Sequence, residues 1–300
     1  MGLAAKKRKY EYIGLLYILP WILGFLIFQI YPLASSMWYS LTDFNLMRKT
    51  PHFIGIENYV RAFTGDVKFI KSLKVTIAYV LFSVPTKLVV ALAIAMLLNI
   101  KIKFINFFRT VYYLPSIMGA SVAVAVLWRF IFVKDGYLNA ALKVIGIKGP
   151  DWLGDYRVAL ITIGLLTVWQ FGSSMVLFLA GLKQIPSELY EAARIDGAGK
   201  VWVFFSVTLP MLSPIIFFNL VMQLIYGFQD FTAPMLVTHG GPANATYLYG
   251  LLLYENAFLY FKMGYAAALS WILFVIMIAV TAVLFRTSIK WTFYENDRNW

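Results

Sequence analysis

Six stretches of about 20 mostly apolar residues recur along the chain: Tyr12–Tyr31, Val75–Ile100, Val111–Val133, Ala159–Leu182, Met211–Val237 and Gly264–Phe285. That is the length of helix needed to cross the hydrocarbon layer of a bilayer. Only 13% of the residues are charged and 61% are hydrophobic, against a charged share of about 25% in soluble domains. So little polar surface cannot cover a water-soluble globule, and lipid must be the solvent for much of the chain. The pattern predicts an all-α polytopic membrane bundle of about six transmembrane helices. The first stretch is longer than the roughly 7–15 apolar residues of a signal peptide and no Ala-x-Ala site follows it, which predicts a retained helix.

An even number of spans puts both termini on one side. That side holds Lys6, Lys7, Arg8 and Lys9, the loop with Lys101, Lys103 and Arg109, the loop with Lys183, Arg194 and Lys200, and the tail with Arg286 and Lys290. Basic residues in short loops next to spans mark the cytoplasmic face, so both termini are predicted to be cytoplasmic. The external segments then lie near Leu33–Lys74, Lys134–Arg157 and Thr238–Met263. Within the last, Tyr247–Phe261 reads as a short interfacial helix. The net charge of +12 follows from this retention of Lys and Arg, and no basic stripe with interleaved stacking aromatics suggests nucleic acid. With no cysteine and only His52 and His239, no disulfide, thiolate or multi-histidine metal site is expected, and no cofactor.

The loop between the fourth and fifth spans carries the most information. Pro186 suits a first helical turn and Glu188 its positive end. Leu189, Ala192 and Ala193 fall on one face at helical spacing. Gly197 suits a left-handed helix end, and a second short helix is expected before Pro210 opens the next span. The residues describe a helix–turn–helix on the cytoplasmic surface with a small polar knob. An interfacial loop without a partner fits the same physics.

The string Glu191-Ala192-Ala193, then Gly197, then Leu209-Pro210 resembles the EAA loop of ABC importer permeases. The fuller run from Glu188 to Leu212 is similar to the carbohydrate-uptake branch, the family of the maltose permease subunits. Leu236-Val237-Thr238-His239-Gly240-Gly241-Pro242 with Thr246 is similar to an external segment of that family, with His239 standing where most members have Gly or Asn. The resemblance runs from about Lys71 to Lys290. It implies a bacterial cytoplasmic-membrane permease subunit that imports a sugar or oligosaccharide delivered by an external solute-binding protein. It also implies a second homologous permease and a cytoplasmic ATPase dimer as partners, with Glu191, Ala192, Ala193, Asp196 and Gly197 coupling to the ATPase. The chain has no Gly-x-x-x-x-Gly-Lys-Ser/Thr phosphate loop, so ATP hydrolysis belongs on a partner chain. The expected layout is a tail and first helix at 1–32, an external segment at 33–70, the transmembrane domain at 71–290 with the coupling loop at 184–209, and a cytoplasmic tail at 291–300.

Polar residues inside spans are expensive and usually face the bundle interior or a water-filled path. On the fifth span, Asn219, Gln223, Tyr226 and Asp230 fall in a stripe roughly 60° wide, with Gln229 beside it. Amides, a phenol and a carboxylate suit the paired donors and acceptors of a sugar. On the fourth span Thr167, Gln170, Ser173 and Ser174 share a face. The competing reading is that such groups bond across helices to hold the bundle together. Lys87 lies about 12 residues, or roughly 18 Å, into the second span, too far to snorkel easily. It is read as lining the substrate path and pairing with Asp230 or with a carboxylate on the substrate; helix-end carbonyls or a partner permease would also satisfy it. Two other functional classes compete with this reading. A stand-alone secondary transporter or channel has no need of the EAA-like loop. An intramembrane enzyme needs a Ser–His pair, paired Asp residues or a zinc motif on the spans, and none is present.

Overall fold

The computed structural model describes residues 16–48, 50–100, 103–119 and 121–293. The basic run Lys6–Lys9, the start of the first apolar stretch and Lys101 lie outside the described residues. Among the described residues the structure is helical, with a single isolated bridge between Thr42 and Phe53. Four helices are long and apolar enough to cross a membrane, and two bent pairs bring the number to six.

The chain divides into two compact units. The first comprises Met1–Asp66 and Leu253–Phe274. Its first helix, α1, spans Leu16–Ser40, nine residues beyond the Tyr31 end expected from sequence. Hydropathy registers only the apolar window, whereas a helix continues for as long as its backbone bonds are made. A short helix, α2 (Glu57–Thr64), then anchors the end of α1: the Asn58 amide donates to the carbonyls of Ser40 and Thr42 at 2.9 and 2.8 Å. The Tyr265 hydroxyl donates to Asp66 at 2.8 Å, and the Arg61 guanidinium sits 4.7 Å from the Tyr265 ring centre.

The second unit comprises Val67–Leu252 and Val275–Trp300. Its axis is α3, Val67–Leu98. This helix begins eight residues before the predicted Val75, because Lys68, Lys71 and Lys74 carry the helix past its apolar portion. Around it pack α7 (Ala159–Trp169), α8 (Gly172–Gln184) and α11 (Leu209–Gln229). Tyr79, Val80, Ile163, Met175, Phe178 and Leu212 are fully buried among them.

Three of the spans read as continuous helices are interrupted. The third divides into α4 (Ile105–Met118) and α5 (Val122–Phe132) at Gly119, whose φ of +53° and ψ of −151° no helix allows, and a short helix, α6 (Tyr137–Val144), follows. The fourth divides between α7 and α8, which meet at 48°. The fifth ends as a regular helix at Gln229, with Asp230 extended at ψ 127°, and the chain resumes a helical turn at Pro234–Thr238. A count of apolar residues detects none of these breaks, since interior residues on both sides of a break stay apolar.

The expected interfacial helix is also corrected. Tyr249–Tyr254 does form a helix, α12, but Leu248, Tyr249, Leu251 and Leu252 are buried. The Tyr249 N–H donates to Thr76 Oγ1 at 2.8 Å, and its ring meets Phe69 edge-on. Tyr249 thus packs on α3.

The breaks in the third and fourth spans interlock. Ser116 donates to the Gln170 carbonyl at 3.0 Å and accepts from the Ser173 N–H at 3.1 Å. Gly172 makes this crossing possible: a Cβ there would lie 2.8 Å from Tyr113 Cα and 2.9 Å from the Tyr112 carbonyl. Gly172→Val should therefore destabilise the folded protein by at least the roughly 1–3 kcal/mol typical of an overpacked core, because backbone rather than a movable side chain blocks the space. Thermal unfolding of the detergent-purified protein measures this; an unchanged midpoint would mean the crossing is looser than described.

Candidate functional site

A cavity of about 250 Å³ sits among α3, α5, α7, α8 and α11. Its polar lining includes Lys87, Ser121, Thr167, Gln170, Ser173, Gln223, Tyr226, Asp230 and Thr232. All three helix breaks contribute residues: Gly119 and Ser121 from the third span, Gln170 from the fourth, and Asp230 and Thr232 from the fifth. Chain leaving a helix exposes N–H and C=O groups that a continuous helix would use itself. Here those groups face a cavity or meet a side chain: the Gln170 amide donates to the Gly119 carbonyl at 3.3 Å.

The most heavily bonded group is Asp230. The Tyr79 hydroxyl donates to Asp230 Oδ2 at 2.6 Å. That hydroxyl has one proton, so the Thr167 hydroxyl, 2.6 Å away, is the donor to Tyr79. Asp230 Oδ1 accepts from the Thr232 N–H at 3.1 Å and the Ala233 N–H at 3.5 Å. The carboxylate thus caps the helical turn beyond the break, where its negative charge also meets the positive end of the backbone dipoles. One chain of bonds links α7 to α3 and α3 to the broken fifth span.

Six of the eight residues read from sequence as substrate path line the cavity: Lys87, Gln170, Ser173, Gln223, Tyr226 and Asp230. Asn219 does not; it is buried and its amide donates to the Ile215 carbonyl of its own helix at 3.1 Å. Gln229 is exposed and its amide lies 3.7 Å from Met277 sulfur. Asp230 reaches the cavity from outside the helical stripe, since the helix has already ended. Lys87 and Asp230 share the cavity, yet they form no ion pair within 4.0 Å.

Tyr79 is the residue that sequence reasoning missed. It stands eight residues before Lys87 and four before Ser83, on the side of α3 that Thr76, Ser83 and Lys87 share at helical spacing. Extending that stripe would have found it. Thr167 was noted on its face but not placed in the path.

At the other end of α11, Ser187–Ile195 forms α9 and Lys200–Val203 forms α10. Gly197, at φ +74°, ends α9: the Ala198 N–H reaches back to the Ala193 carbonyl at 2.9 Å and the Gly197 N–H to Arg194 at 3.1 Å, the left-handed closure that glycine alone adopts freely. Contrary to the expected separate short helix, α10 continues through a π turn at Phe204–Thr208 directly into α11. Ala193 is buried, while Leu189, Glu191, Ala192, Asp196 and Gly197 are exposed. The three apolar residues predicted to share a packed face therefore divide, with only Ala193 turned inward. Tyr190 and Thr208 hydroxyls lie 3.2 Å apart and tie α9 to the fifth span.

Comparisons with known proteins place this architecture. A family model described as "Binding-protein-dependent transport system inner membrane component" matches residues 62–291. The probable ABC transporter permease protein YesP of Bacillus subtilis is 49% identical over 96% of this chain and 94% of its own. The multiple sugar-binding transport system permease protein MsmF of Streptococcus mutans is 35% identical over 91% of this chain and 93% of its own. Among solved structures, a chain of the bacterial alginate ABC transporter in complex with alginate pentasaccharide-bound periplasmic protein superposes with a TM-score of 0.79 at 22% identity, covering 96% of this chain and 99% of that chain. The last likeness establishes the fold.

The Tyr79–Asp230 bond gives a direct test of the site's construction. Tyr79→Phe keeps the buried ring and removes one charge-assisted hydrogen bond, so it should cost about 1.5–3 kcal/mol. Thermal unfolding of the purified protein, compared with Tyr226→Phe on the open side of the cavity, reads this out. Equal effects of the two substitutions would mean that Asp230 does not depend on Tyr79.

Proposed function

The chain belongs to the binding-protein-dependent transport system inner membrane component family, and from that premise we propose that it moves a sugar or oligosaccharide across the cytoplasmic membrane in an ATP-driven importer. As a family member with several apolar helices, it is a multi-pass plasma-membrane protein and a transport subunit, with nucleotide hydrolysis on another chain. The proposal adds a second permease, a cytoplasmic ATPase dimer and an external binding protein as working partners. It also places both termini on the cytoplasmic side, as the basic short loops require.

The observation that carries the saccharide reading is the cavity lining. Amides from Gln170 and Gln223, hydroxyls from Thr167 and Ser173, and the Tyr226 ring, which is 57% exposed, converge on one space. Paired donors and acceptors beside an open aromatic face are what hydroxyl-rich rings bind. The names of relatives agree: MsmF is a multiple sugar-binding system permease and LacF of Rhizobium radiobacter a lactose permease. A bundle held together by polar bonds alone would have no reason to leave such groups facing open space.

Coupling is assigned to the exposed end of α9, namely Glu191, Ala192, Asp196 and Gly197, with Ala193 packing the element onto the bundle. Supporting this are its exposure, its position at the base of the helix that reaches the cavity, and the spacing of the motif. Titrating the external binding protein with neutral and uronate sugars identifies the cargo delivered to the permease.

Two substitutions separate coupling from folding. Glu191→Lys reverses a charge on the docking surface, and Gly197→Asp places a side chain where φ is +74°. Both should leave the protein in the membrane while the ATPase no longer copurifies with the tagged chain and uptake falls at least tenfold, a change of about 1.4 kcal/mol or more. Full uptake with full ATPase recovery in both variants would reject the docking assignment.

A further inference from the structure

The cavity contains a cation with no direct partner in its walls. Lys87 is 7% exposed and lines the cavity, with no hydrogen bond or ion pair to any described residue. It stands eleven residues from the Leu98 end of α3, about 16 Å along the axis, so its amine cannot easily reach that end. The other charged group lining the cavity, Asp230, is already engaged by the Tyr79 hydroxyl and by two backbone N–H groups. A buried ammonium without a partner is unfavourable in any low-dielectric setting.

A second feature of the same wall points the same way. The break at Gly119 starts α5 at the cavity, with Ser121, Val124 and Ala125 of its first turn in the lining. The Ser121 hydroxyl accepts from the Val124 N–H at 3.2 Å, and the first regular bond of the helix runs from the Ala125 N–H to the Ser121 carbonyl at 3.1 Å. The positive end of this 11-residue helix therefore stands at the wall that Lys87 also lines.

We propose that this cavity is built for an acidic saccharide, whose carboxylate is received by Lys87 and the first turn of α5 while Gln170, Gln223 and Tyr226 take the neutral hydroxyl-bearing part of the ring. The assignment rests on the saccharide reading above and narrows it. A neutral sugar would bond to the same amides but leave the ammonium without a direct partner. A carboxylate meets the cation by direct contact and the positive end of α5 through its dipole, whereas Asp230, bonded to Tyr79 and the backbone, makes no direct contact with Lys87.

The test uses the assembled importer in lipid nanodiscs, titrated calorimetrically with sodium cellobiouronate and with cellobiose, which differ by a carboxylate in place of a hydroxymethyl group. Sodium acetate is the free-anion control. Wild type should bind the uronate at least about tenfold more tightly than cellobiose and acetate not measurably. Lys87→Met should bring the ratio of the two sugars close to one, and Lys87→Arg should keep most of it. Lys87→Gln makes the same comparison if the Met variant fails to assemble. Equal binding of both sugars by wild type, an undiminished ratio in Lys87→Met, or acetate binding as tightly as the uronate would overturn the assignment. Restoration of the ratio in Lys87→Met by adding Asp230→Asn would also overturn it, by showing that Lys87 serves only to balance Asp230. Failure of wild type to bind either sugar would reject the saccharide reading itself, an outcome distinct from equal binding.

Discussion

In lipid a backbone N–H or C=O without a partner cannot fall back on water, so a helix inside a membrane may be broken only where something else takes up the freed groups. That constraint organises the second unit of this protein. Its third, fourth and fifth spans all break, and all three breaks contribute to the lining of one cavity. Ser116 serves the break in the fourth span, Ser121 caps α5, and Asp230 caps the turn beyond α11. Each interruption leaves backbone polarity where a solute can meet it and seals the remainder with a side chain. The polar cavity and the broken helices are one feature, since neither could exist at this depth without the other.

Asp230 holds the arrangement together. An aspartate in a span reads at first as a solute-binding acid, yet its oxygens are occupied by Tyr79, Thr232 and Ala233. Its first role is to end one helix and start the next while bonding both to α3. The consequence reaches Lys87. In a simpler bundle the two opposite charges would pair and cancel. Here the acid bonds to Tyr79 and the backbone, and the cation faces the cavity without a direct partner.

Much of this was legible in the sequence, and the omissions have physical causes. Six apolar stretches gave the all-α class and the number of spans, because membrane thickness sets helix length with little freedom. Polar residues within those stretches marked Lys87, Gln170, Ser173, Gln223, Tyr226 and Asp230, because a polar side chain at such depth needs a reason. Asn219 met the same criterion and failed for a local cause: its amide bonds back to the Ile215 carbonyl, which helical periodicity cannot distinguish from an inward-facing group. The breaks were missed because the stripe was drawn as if the fifth helix ran on to Val237. Pro115 and Gly119 in the third span were the available signal, while Gln170–Phe171 and Asp230 carry no helix breaker. Tyr79 was missed because tyrosine raises little suspicion in an apolar span, although its hydroxyl needs a partner when buried.

The two proposed working surfaces, the docking end of α9 and the saccharide cavity, stand on one piece of helix. From Lys200 the chain runs through the π turn and along α11 to Gln229 without leaving helical geometry. From Lys200 to Tyr226 is about 39 Å at 1.5 Å per residue. Ala193 and the Tyr190–Thr208 contact fix α9 to the base of this rod, so a push on α9 displaces α11 instead of being absorbed by a flexible loop. At the far end the rod stops at Asp230, whose bonds run to α3 through Tyr79 and not along a continuing helix. A displacement of α11 therefore acts on the Tyr79–Asp230 contact and on the spacing between Gln223, Tyr226 and Lys87, which are the groups proposed to hold the solute. A continuous fifth helix would carry the same motion past the cavity into the segment that follows it. The break localises it at the site, and this gives the discontinuity a purpose beyond exposing polar backbone.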